Sequence, residues 1–65
     1  MINSEQKMKI RNLKNLYVMA KLAGNTKQAN DILDLIYVWY IDNIRELTFE
    51  QCRTFEIFFR MNDYL

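Results

Sequence analysis

Leu35-Ile36-Tyr37-Val38-Trp39-Tyr40-Ile41 is the longest uninterrupted apolar run in the chain, and the fold turns on whether it is strand or helix. A short, aromatic, partly β-branched run fits a buried strand as well as a buried helix, and its own periodicity does not separate the two. The flanks do. Ala29, Ile32 and Leu33 before it and Ile44 and Leu47 after it keep helical spacing with Ile36 and Tyr40, and no turn residue intervenes. The spacing predicts one helix over 26–46, with those seven residues on one face and Asp31, Asp34, Asp42 and Arg45 roughly opposite. Leu35, Val38 and Ile41 fall on or beside the polar side. The middle of this helix is therefore apolar almost all round, as expected of a central helix or one at an interface.

On either side of this helix, one glycine and no proline leave two breaks. Gly24 can close a helix in the left-handed conformation, and Asn25 or Thr26 can cap the next. At the second break, Thr48 followed by Gln51 reads as a capping box. A first helix over 4–23 starts near Asn3 or Ser4, with Glu5 meeting the positive end of the helix dipole. Its apolar stripe is Ile10, Leu13, Leu16, Tyr17, Ala20 and Ala23. A third helix over 49–62 buries Cys52, Phe55, Phe58 and Phe59, and the tail Met61 to Leu65 is apolar enough to dock. The expected fold is all-α: a small three-helix bundle made of an antiparallel helical hairpin plus a third helix, one domain over 1–65, forming a dimer.

The dimer is expected because the chain is small. A domain of this length buries only about 60% of the surface its unfolded form exposes, and such scaffolds are usually reinforced by disulfides, a metal or a partner subunit. Cys52 is alone and there is no histidine, which excludes an internal disulfide and the usual zinc ligand sets. Self-association or another protein remains. The lone thiol also points to a reducing compartment, with cytoplasm the default. A basic start followed by Leu16 to Ala23 has some look of a secretory signal, but Lys21 interrupts it and no small-x-small site follows. The seven-residue apolar run falls well short of the roughly 20 residues of a membrane span. Abundant Asn, Ile and Lys beside scarce Gly and Pro suit a short, AT-rich bacterial or phage reading frame.

Catalytic chemistry has little to work with. Without histidine, the usual general base and the Ser-His and Cys-His pairs are missing, and one glycine cannot build a phosphate-cradling loop. No cofactor is expected. Asp31, Asp34 and Asp42 form an acidic stripe that could in principle hold a hard cation such as magnesium, but a solvated helix face is the plainer reading. Cys52, among phenylalanines, reads as a packed thiol.

Two surfaces remain as candidate binding sites. One is the apolar surplus of the middle helix, Leu35, Tyr37, Val38, Trp39 and Ile41, which includes the aromatic types enriched at interface hot spots. The other is a basic face on the first helix, Lys7, Arg11, Lys14 and Lys21, suited to an acidic partner or a phosphate backbone. The net charge of +1 hides this asymmetry: residues 1–27 carry six cations against Glu5, whereas 28–65 carry three against seven acids. No helix-turn-helix pattern accompanies the basic face. The expectation is a non-catalytic protein-binding regulator, inhibitor or adaptor that also pairs with itself, with a nucleic-acid-binding regulator as the alternative.

Overall fold

The run at 35–41 is helical. The computed structural model describes residues 2–64, of which 84% are in helices, and there is no strand among them. Helix α1 spans Ser4–Leu22, α2 spans Thr26–Asn43 and α3 spans Phe49–Met61, with a 3-10 turn over Ile44–Glu46 between the last two. No helix among the described residues is long and apolar enough to cross a membrane.

Each boundary has a local cause. Asn3, not Ser4, caps α1: its side chain accepts from the Gln6 backbone N–H while Gln6 accepts from the Asn3 N–H, a complete capping box. Gly24 ends the helix at φ +73°. The Asn25 N–H then reaches the Ala20 carbonyl and the Gly24 N–H the Lys21 carbonyl, the paired bonds of a Schellman motif. Asn25 caps α2 by accepting from the Gln28 N–H. The predicted helix to 46 stops short as an α-helix at Asn43, whose side chain folds back to donate to the Trp39 carbonyl at 2.8 Å. Thr48 and Gln51 form the expected capping box of α3.

A second Schellman pattern ends α3, with Asp63 at φ +56° in the place a glycine usually takes. This turn brings Tyr64 back over the rings of Tyr37 and Phe59, at centroid distances of 5.2 and 5.4 Å. Only part of the tail docks as predicted: Met61 points outward, and Leu65 lies outside the described residues.

The backbones of α1 and α2 run close together along the hairpin. A hydrogen bond from the Gln6 amide to the Asn43 side chain ties the start of one to the end of the other, so the hairpin is antiparallel. The α3 backbone stands further off, and aromatic rings fill the gap. Phe55 meets Tyr40 at 5.1 Å and Trp39 at 5.6 Å, Phe59 meets Tyr37 at 5.4 Å, and Phe58 meets Tyr17 at 5.6 Å. Each such pair contributes about 0.5–1.5 kcal/mol beyond its buried area. Ile36 and Phe59, both fully enclosed, mark the centre. Three residues assigned to the core from spacing alone, Leu16, Ala23 and Ile44, are exposed. Ile2, outside every predicted helix, is buried.

Candidate interaction surfaces

The five apolar residues expected to form one patch on α2 are dispersed around it. Trp39 is only 5% exposed, its ring set against Phe55. Tyr37 is half-buried and faces α3, where it meets Phe59 and Tyr64. Both are corrections to the expected exposed belt. The cause is the 3.6-residue period: Tyr37 turns with Leu33 and Tyr40 toward α3, and Trp39 turns with Ile32 and Ile36 into the core. Leu35 and Val38 stay outside, 55% and 54% exposed, and Ile41 is exposed further round the helix.

Leu35 and Val38 belong to a groove of about 260 Å³ on the hairpin. Its α1 wall is Gln6, Lys9 and Leu13, and its α2 wall is Leu35, Val38, Asp42 and Asn43, with the edge of Trp39 between them. No α3 residue lines it. This is the side of the hairpin that the third helix leaves open. Leu16, exposed and three residues beyond Leu13, continues the α1 row. At the end closed by the Gln6–Asn43 bond, Lys9 and Asp42 stand on opposite walls.

Of the four residues of the predicted basic face, the structure brings three together. Lys7, Arg11 and Lys14 line a cleft of about 530 Å³ between α1 and α3, floored by Trp39 and Phe55 and walled opposite by Thr48, Glu50, Gln51 and Thr54. The Lys14 ammonium sits 4.4 Å from the centroid of the Phe55 ring, and burial pushes its pKa below the ordinary 10.5. Lys21 lies apart from this cleft, its ammonium 5.9 Å from the Tyr17 ring centroid. The aromatic rings of the floor are buried, which leaves no open platform on which a nucleic-acid base could stack.

The acidic stripe is partly engaged within the chain. Tyr64 donates its hydroxyl proton to Asp34 at 2.7 Å, and that bond, followed by burial, raises the tyrosine pKa above 10.0. Among the described residues, no three or more Cys, Asp or Glu side chains gather where they could hold a metal ion. Cys52 is half-buried, beside Tyr40.

Sequence reasoning missed the α1 wall of the open groove. The signal was there, since Lys9, Leu13 and Leu16 recur at helical spacing along the edge of the core stripe. What it lacked was the side on which α3 docks. The exposed Phe49, next to the α3 cap, was also missed. Comparison with known proteins returns no match to a protein family, to a curated protein or to a solved structure.

Proposed function

We propose that this chain is a non-catalytic binding protein of the bacterial or phage cytoplasm, acting as a regulator, inhibitor or adaptor through stoichiometric association, both with itself and with another protein. The observation that carries this reading is the open side of the hairpin. There Leu35 and Val38 remain more than half exposed beside Leu13 and Leu16, whereas Ile32, Leu33, Ile36, Trp39 and Tyr40 of the same helix are buried. Apolar rows left uncovered and rimmed by charge are a usual mark of an association surface. Stoichiometric binding needs a folded surface and nothing more, in keeping with a sequence that lacks the usual catalytic groups.

The test compares the wild-type chain with Val38→Arg, a change at an exposed position that leaves the core alone. Wild type retains a protein from a native bacterial extract at fixed stoichiometry, and the variant, equally folded by circular dichroism, does not. Retention of the same protein by both, or of none by either, overturns the reading.

The cleft between α1 and α3 favours a second reading, since it sets Lys7, Arg11 and Lys14 beside an apolar floor. With its rings buried, it suits an acidic segment of a partner protein better than a nucleic acid. A mobility shift with DNA or RNA that weakens steeply with salt and disappears on reversing Lys7 and Arg11 would favour nucleic acid instead.

A further inference from the structure

We propose that a second copy of this chain covers the open side of the hairpin, with a two-fold axis running along the groove, so that α1 of each copy lies over α2 of the other and Lys9 of each meets Asp42 of its partner. The inference rests on the association reading above and names its occupant and geometry.

Charge selects the arrangement. Of the charges on the hairpin, Lys9 and Asp42 line the groove, whereas Lys7, Arg11 and Lys14 line the cleft toward α3 and Asp34 is bonded to Tyr64. Two antiparallel hairpins laid face to face have two simple two-fold solutions. With the axis across the helices, α1 stacks on α1 and α2 on α2, and Lys9 and Asp42 of the two copies lie at opposite ends of the groove, out of reach of one another. With the axis along the groove, the basic helix of each copy crosses to the acidic helix of the other and runs antiparallel to it. Lys9 and Asp42 occupy the same end of the groove on opposite walls, so this second operation superposes each on its counterpart's opposite. Two crosswise ion pairs then rim a centre made of Leu13, Leu35 and Val38 from both copies. The four helices form a bundle of the ordinary up-down kind, and each α3 remains on its own outer side.

The size of the surface is consistent with this. The chain exposes 5100 Å², whereas a compact monomer of 7.9 kDa is expected to expose about 4400 Å². The excess belongs to the whole surface, on which Leu22, Phe49 and Met61 are exposed as well as Leu35 and Val38. It accompanies a flattened outline, 34 × 24 × 15 Å, as expected of a hairpin covered on one side only.

The experiment uses sedimentation velocity on three samples: Lys9→Asp alone, Asp42→Lys alone, and an equimolar mixture of the two, with wild type as reference. Wild type is expected to be dimeric. Each single variant places two like-charge contacts in its own homodimer and should self-associate at least roughly tenfold more weakly. In the mixture, the aspartate introduced by Lys9→Asp in one chain would face the lysine introduced by Asp42→Lys in the other. The unchanged Lys9 and Asp42 would face each other as before, so a heterodimer should form at near wild-type strength. Pairing of Lys9 with Asp42 inside one chain could not be restored by mixing. Circular dichroism of each variant checks that the fold is intact. A monomeric wild type at the highest soluble concentration overturns the second copy as occupant, while retention of another protein by wild type but not Val38→Arg would leave the broader reading standing. A dimer indifferent to both charge reversals, or a mixture no stronger than the single variants, overturns the axis.

Discussion

The two sides of the α1–α2 hairpin are built from different residue types. The side under α3 is aromatic: Tyr37, Tyr40, Phe55, Phe58, Phe59 and Tyr64 interlock there, and the tail returns to close them in. The open side is aliphatic and sparse, with Leu13, Leu16, Leu35 and Val38 between charged rims. Large rings can bridge the distance to a helix whose backbone stands off, while branched aliphatics need a close neighbour to be covered. The aromatic side thus holds the fold together, while the open side leaves Leu35 and Val38 more than half exposed. Changes on the first should act on folding and changes on the second on association.

The sharpest way to break that contrast is Phe59→Ala. Truncating a fully enclosed ring costs about 3–5 kcal/mol, comparable with the whole stability of a domain this small. Chemical denaturation should find the variant largely unfolded without denaturant. A cooperative transition near that of wild type would mean that the aromatic side does not carry the fold.

The two helix ends at positive φ should respond in opposite directions. Gly24 at φ +73° has nothing within 4 Å of where a Cβ would sit, so Gly24→Ala should destabilise by about 1 kcal/mol through backbone strain alone. Asp63→Gly, at φ +56°, relieves the same kind of strain and should raise the melting temperature slightly. Differential scanning calorimetry on both variants measures each sign.

The Tyr64–Asp34 bond makes the stability of the aromatic side depend on pH. The tyrosine pKa is raised in the fold, so the stabilisation is fully present below the unfolded value near 10 and is lost as pH rises through the higher folded value. Between pH 8 and 11, wild type should lose stability more steeply than Tyr64→Phe in urea titrations. Parallel curves would show that the bond contributes nothing.

The smallest effect on folding is expected from the open side. Leu35→Glu and Val38→Arg should shift the stability of the isolated subunit by no more than about 0.5 kcal/mol. At concentrations where the proposed dimer forms, both should remove the concentration dependence of the melting temperature. Loss of stability in the monomer itself would place these side chains in the core.

How far each region was legible in advance follows from the range of the forces involved. Helix identity, both breaks and the α3 cap could be read because Gly24, Asn25, Thr48 and Gln51 act over three or four residues. The faces carrying Ile36, Tyr40, Phe55 and Phe59 could be read because helical period and burial coincide there. Trp39 could not be placed. On a helix apolar almost all round, composition does not distinguish the residue under a neighbour from the one in water.

Sequence alone determined that this chain is three capped helices with a basic first helix, an acidic second and an aromatic third, since propensity, capping and charge are local properties. Which side of the hairpin the third helix covers was settled by packing alone. That choice buried Trp39 and left Leu35 and Val38 outside, because where α3 docks depends on how rings from distant positions fit together, and no stretch of the chain encodes that by itself.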